Sequence, residues 1–202
     1  METIGQGLYR AEHRGLRELH ATARQLCGHW ERLADRAGGR PATVLQRGAA
    51  EARELLGELD ARAEAIGLHG FPAAQGVGGR LAGARNNAAD LLLERNQAIR
   101  AAVLDVQHVT TLLGYLGRLA ATRGDEELAA FHRGWEERLR AIEEEARAAA
   151  IELGCDPAAA VVPAEQGPLG RAGHRVALGF GTAGEAIDQS HVGRVARNRF
   201  GR

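Results

Sequence analysis

No lysine occurs in the 202 residues; all 26 basic side chains are arginine, set against 26 acids. The formal charge is zero, which lacks the basic excess of a dedicated nucleic-acid binder. Arginine serves as well as lysine on a solvated helix face, so the replacement reflects coding composition rather than chemistry. Aromatic residues reach only 4%, too few for a β-sandwich built on aromatic and β-branched side chains. The two cysteines, Cys27 and Cys155, form no CxxC. That spacing suggests neither a zinc site nor a disulfide framework, and a reducing, cytoplasmic location is expected. Long apolar runs are missing as well. Charges interrupt METIGQGLYRAEHRGLRELH where a signal peptide needs an apolar core. The longest charge-free helical stretch, Val106 to Gly117, falls short of the roughly 20 residues of a membrane span.

What is present is helical periodicity. Leu16, Leu19, Ala23, Leu26, Trp30, Leu33 and Ala37 recur at alternating steps of three and four, the seam of a packed helix. Gly38 and Gly39 end it and Pro41 starts the next segment. A second helix carries Leu45, Ala52, Leu56, Leu59, Ala63 and Ile66. Glycines from Gly67 to Gly83, with Pro72, mark a connection far longer than a compact domain normally uses. A bundle in which two neighbouring helices run parallel requires such a crossover. A third helix is expected to begin between Leu81 and Asn87 and to bury Ile99, Ala102, Val106, Val109, Leu113, Leu116 and Ala120. Gly124 and Asp125 make a short turn, with Asp125 as N-cap of a fourth helix. That helix shows Leu128, Phe131, Trp135, Leu139, Ile142, Ala146, Ala149 and Leu153, and closes at Gly154 before Pro157. The fold class read from this pattern is all-α: a four-helix bundle over residues 1–163, with a long connection between helices two and three.

Residues 164–202 form a glycine-rich basic extension. From 166 onward six arginines face two acids, Glu185 and Asp188, a net +4 that opposes −4 on the rest of the chain. A short helix from Ala183 to Arg197 and the apolar residues Phe180, Ile187, Val192 and Phe200 could dock the tail on a protein partner or another subunit. Plain disorder is the alternative. A homodimer is the default assembly for a bundle of this size.

Bundles hold metals on inward-facing carboxylates and histidines. The first seam, extended backwards, reaches Glu12 and then Tyr9, so Glu12 points at the core unless the helix end frays. Asp105 and His108 are spaced i, i+3; His132 and Glu136 are spaced i, i+4. Glu12, Asp105, His108 and Glu136 are therefore the candidate metal ligands. Against this, Asp105 and His108 lie off the tightest stripe, which suits a solvated pair, and His132 with Glu136 suits a surface ion pair. His29 and His69 have no partner at ligand spacing, and Glu143-Glu144-Glu145 reads as a solvated face. Gly76-Val77-Gly78-Gly79 lacks the GK[ST] of a phosphate loop, and neither GxSxG nor HExxH is present.

LYRAE (Leu8 to Glu12) and DVQHVTTLLGYLGRLAATRGDEELAAF (Asp105 to Phe131) resemble the ferritin-like superfamily, in particular bacterial stress-associated ferritin-like proteins of the YciE/YciF type. The resemblance covers about residues 5–154. It implies a ferritin-like bundle and, for an intact family member, a di-iron centre with Glu-x-x-His pairs. Glu12 matches the helix-one ligand. The family's VEH corresponds to Val106-Gln107-His108, with glutamine in place of a ligand, and Thr110 stands where a second carboxylate is expected. Glutamine brings no charge to offset a metal's. The resemblance thus implies a bundle without an intact di-iron set, holding no cofactor and acting as a structural or interaction protein with a stress-related role. The alternative is a noncanonical site for iron or manganese with iron or peroxide chemistry.

Overall fold

The computed structural model describes residues 3–4, 7–65, 93–164, 167–168, 171–172 and 175. Four long helices dominate: α1 (Arg10–Ala37), α2 (Gly39–Ala65), α3 (Arg95–Arg123) and α4 (Glu126–Glu152). A 3-10 turn over Leu153–Cys155 leads into the short α5 (Pro157–Ala160). Two two-residue strands, β1 (Thr3–Ile4) and β2 (Leu8–Tyr9), pair antiparallel just before α1. The all-α bundle read from periodicity is the architecture observed.

The seams of α1 and α3 are buried at every position foreseen, from Leu16 to Ala37 and from Ile99 to Ala120. In α2 Leu45, Ala52, Leu59 and Ala63 are buried as expected, and one position differs. Leu55 fills the interior and Leu56 is only half-buried, so the seam runs through Val44, Gly48, Ala52, Leu55 and Leu59. Ile66 lies outside the described residues. In α4 the expected stripe is joined by Ala129 and His132.

The packing order differs from the one expected. α1 packs on α2 and α3, and α4 packs on the same two helices, leaving α1/α4 and α2/α3 as diagonals. Arg123 at the end of α3 reaches Glu12 at the start of α1, and Arg95 at the start of α3 reaches the Ala37 carbonyl at the end of α1. Arg62 and Arg40, near the two ends of α2, pair with Glu127 and Glu152 of α4. Every packed pair is therefore antiparallel, and the parallel pairs are diagonal rather than neighbouring. The last turn of α2 and the first of α3 consequently lie at opposite ends, about 40 Å apart for helices of this length. This is why a long connection is needed.

Local chemistry explains the helix ends. One residue, Gly38, separates α1 from α2, and Gly38 and Gly39 both take positive φ. Gly124 closes α3 in the left-handed conformation. Asp125 then caps α4, its carboxylate accepting the Leu128 N–H at 2.9 Å. The described third helix starts at Arg95 with an extended Glu94, later than the expected onset at 81–87, which lies outside the described residues. The first helix starts later too: Leu8 and Tyr9 are strand, and Tyr9 precedes the first helical residue. At the other end of the bundle, Val162 and Ala164 bond to the backbone of Arg95 and Leu93. Val162 and Ala164 are thus tied to the start of α3 and belong to the bundle. The tail features proposed between Phe180 and Phe200 lie outside the described residues.

Close approach of α1 and α2 depends on Gly48. A Cβ there would lie 2.2 Å from the Trp30 ring and 2.9 Å from Ile142. Trp30 in turn donates its indole N–H to the Ala102 carbonyl at 3.2 Å. A large side chain from α1 is thereby locked against α2 and α3 at mid-bundle.

Candidate functional site

Glu12 is the most deeply placed acid among the described residues, with 0% of its surface exposed. A carboxylate there costs several kcal/mol unless its charge is met. Arg123 meets it in a two-pronged fashion: Nε donates to Oε2 and Nη2 to Oε1, both at 2.9 Å. The Tyr9 backbone N–H adds a third donor at 3.3 Å. Arg123 also bonds to Asp125 at 3.0 Å. The Glu12 hydrogen bonds push the Arg123 guanidinium above its ordinary range, so it stays charged. The Leu128 N–H, helped by Arg123, holds Asp125 below the usual carboxylate range. The inward orientation expected of Glu12 is observed; its partner is an arginine from the far end of α3.

The other three candidate ligands sit elsewhere. Asp105 lies eighteen residues before Arg123, about 27 Å along α3. It binds His29 Nδ1 at 2.5 Å, with His29 almost fully buried and Asp105 21% exposed. His29 thus has the partner that sequence spacing could not show. His108 is exposed and faces Glu18 of α1 at 3.3 Å, not Asp105. Glu136 is half-buried beside Gly114 of α3, where an added Cβ would approach its Oε2 to 3.1 Å. It pairs with Arg140 one turn on, not with His132.

The four residues are not brought together. Among the described residues no group of three or more His, Cys, Asp or Glu side chains is placed to hold a metal ion. The donor set does not fit the di-iron group that a ferritin-like resemblance implies. Both Glu12 oxygens are taken by a guanidinium. Val106 occupies the inward position of its turn, so Gln107 and His108 face outward. Thr110 is buried, and its hydroxyl donates to the Gln107 carbonyl at 3.0 Å.

Two polar features escaped the sequence reading. His20 of α1 pairs with Asp60 of α2 at 2.8 Å. His132, expected on the surface, has no exposed area and sits among apolar groups in α4, with its Cβ against Gly117 and its ring edge-on to Phe131. Neither ring nitrogen has a hydrogen-bond partner. Burial, reinforced by the nearby Arg62 charge, pushes its pKa down to about 4, so the ring is neutral at pH 7. A signal existed: His132 lies three residues before Trp135 and four after Leu128, on the seam itself.

The expected solvated face on α4 is half-correct. Glu144 is exposed, while Glu143 and Glu145 are intermediate, turned toward α3 and α2. Cys27 is buried and Cys155 exposed, both as free thiols. No helix among the described residues is long and apolar enough to cross a membrane. Comparison with family models, curated proteins and solved structures gives no match, so the chain's own residues carry the functional argument.

Proposed function

We propose that this chain is a ferritin-like four-helix bundle without an intact di-iron ligand set, working as a structural or interaction protein. The observation that carries this reading is the Glu12–Arg123 pair. At the one inward-facing carboxylate carried over from the resemblance, a guanidinium supplies the positive charge that a metal ion would otherwise bring. An interior organised this way favours a fixed scaffold over an open ligand shell. The reading extends to a homodimer, favoured by the exposed apolar side chains Tyr115, Val161 and Val162. It also extends to a cytoplasmic, stress-related setting, with the free thiols suited to a reducing compartment. The basic tail is the proposed contact for a protein partner.

Elemental analysis of protein purified without chelator tests the central point. Substoichiometric metal, unchanged by Glu12→Ala, is the expected result. Iron or manganese at about two per chain, lost in Glu12→Ala, would restore a carboxylate metal site of the ferritin type. For the assembly, light scattering should return twice the chain mass, and truncation after Pro163 should alter it if the tail bridges subunits.

A further inference from the structure

The outer side of the α3/α4 pair holds a groove of about 490 Å³, between the first half of α3 and the last half of α4. Its size falls within the range of small-molecule sites. Val103 and Ala150 form an apolar floor, and Ile151 closes one edge. Ile151 is 68% exposed, and Leu104, next to Val103 in the chain, is 64% exposed. Large aliphatic groups left this open are the most exposed among the described residues.

Two guanidinium groups border that floor, Arg100 from α3 and Arg147 from α4. Elsewhere on the bundle, arginines between helices meet carboxylates, as Arg138 does with Glu51 and Glu54. These two do not. Arg100 bonds only to Asn96, through its side-chain and backbone oxygens. Arg147 has no side-chain hydrogen bond or ion pair among the described residues. Glu143 lines the same groove, its carboxylate 3.4 Å from the Thr110 hydroxyl. It offsets one of the two positive charges, leaving a net of about one. Gln107 adds an amide that can donate or accept.

This arrangement selects by chemistry. An apolar floor between two arginines suits an anion with an apolar body, because guanidinium pairs with a carboxylate through two parallel hydrogen bonds. Glu143 disfavours a multiply charged ligand such as a phosphate ester. Glu144, exposed on the same helix, disfavours an anionic lipid surface. We propose that the α3/α4 groove binds a free monocarboxylate with an apolar body, of the fatty-acid or aryl-carboxylate class, held by Arg100 and Arg147.

Decanoate below its micellar concentration is the probe, titrated into the full chain by calorimetry and followed by amide chemical shifts. One saturable site is expected, with shifts centred on Val103, Gln107 and Ile151. Arg100→Gln combined with Arg147→Gln should weaken binding at least tenfold, and the exposed Ile151→Glu should do the same, with helical content unchanged. Decyltrimethylammonium should bind at least tenfold more weakly than decanoate. Absence of saturable decanoate binding below about 1 mM would overturn the proposal. Equal affinity for the cationic amphiphile, or affinity unchanged in the double variant, would do so too. Phosphatidylcholine vesicles with one-fifth phosphatidylglycerol separate the two sources of such an anion: capture of the chain by them without decanoate binding would replace a free-ligand site by membrane docking.

Discussion

The α1/α3 and α2/α4 faces are both antiparallel helix contacts, yet the balance of buried and exposed polar links differs between them. Across α1/α3 most polar links are buried or nearly so: Glu12 with Arg123, His29 with Asp105, and the Trp30 indole on the Ala102 carbonyl, with the exposed His108–Glu18 pair the exception. Across α2/α4 most links are rim ion pairs, among them Arg40–Glu152, Arg47–Glu145 and Arg62–Glu127, and the buried Trp135 indole, which donates to Glu58, is the exception. Solvent and salt weaken the second kind, and the side chains give up entropy to form them. A buried link is different because losing one partner strands the other in a medium that cannot solvate it. One face is thus specific and brittle, the other adaptable and forgiving.

The largest effect is expected where the brittle face is broken at its charge. Arg123→Ala leaves Glu12 buried without its cation and should cost about 3–5 kcal/mol in urea unfolding. Pairing Glu12→Leu with Arg123→Met should recover most of that loss, since two apolar groups replace a pair that must be desolvated. A double variant no more stable than Arg123→Ala would show that the pair does more than neutralise itself.

His132 sharpens the comparison, being buried polar surface with no link at all. Its folded pKa of about 4 lies below the ordinary value of 6.5. The unfolded chain therefore takes up a proton that the folded chain refuses between these limits. The contribution is complete above about pH 6.5 and is lost as pH falls toward 4, amounting to about 3 kcal/mol. His132→Leu should flatten the difference in stability between pH 7 and pH 4.5 by most of that amount. It should also stabilise the protein at pH 7 by about 1 kcal/mol, as removal of an unpartnered buried polar group does. An unchanged acid profile would place the acid sensitivity elsewhere.

Asp105→Ala comes next, at about 1–3 kcal/mol, because it removes the acceptor of the buried His29. Arg47→Ala, on the forgiving face, should cost less than about 1 kcal/mol, and 0.5 M salt should shrink even that. If Arg47→Ala proved as damaging as Asp105→Ala, the distinction between the two faces would fail.

The apolar framework was legible in the sequence because each seam is a local pattern. Leu16 to Ala37 and Ile99 to Ala120 are single-helix repeats, and Gly124-Asp125 is a local turn with a local cap. Leu55 against Leu56 shows the limit of the method: adjacent leucines fit the period about equally, and packing against the neighbouring helices chooses between them. The polar interior was not legible. Glu12 and Arg123 are 111 positions apart and His29 and Asp105 are 76 apart. Their pairing depends on which helices become neighbours and on their directions. Assigning the parallel pair to neighbours rather than diagonals hid both contacts. His108 was grouped with Asp105 by spacing, although an i, i+3 pair can diverge when each member finds a partner on another helix.

The near-absence of chain between α1 and α2, with Gly38 alone separating them, has a kinetic consequence. Two helices joined by one residue, and two more joined by Gly124 and Asp125, can each fold back on themselves with little loss of loop entropy. The α1–α2 and α3–α4 hairpins are then expected to form early, with their docking as the late step that first brings Glu12 to Arg123. Contacts made after the transition state govern the lifetime of the folded molecule more than its rate of formation. Arg123→Ala should accordingly hasten unfolding while leaving refolding almost unchanged, whereas Gly48→Ala, inside the first hairpin, should slow refolding. The buried Glu12–Arg123 pair is then expected to act in time as well as in energy, as the clasp that keeps two finished halves from parting.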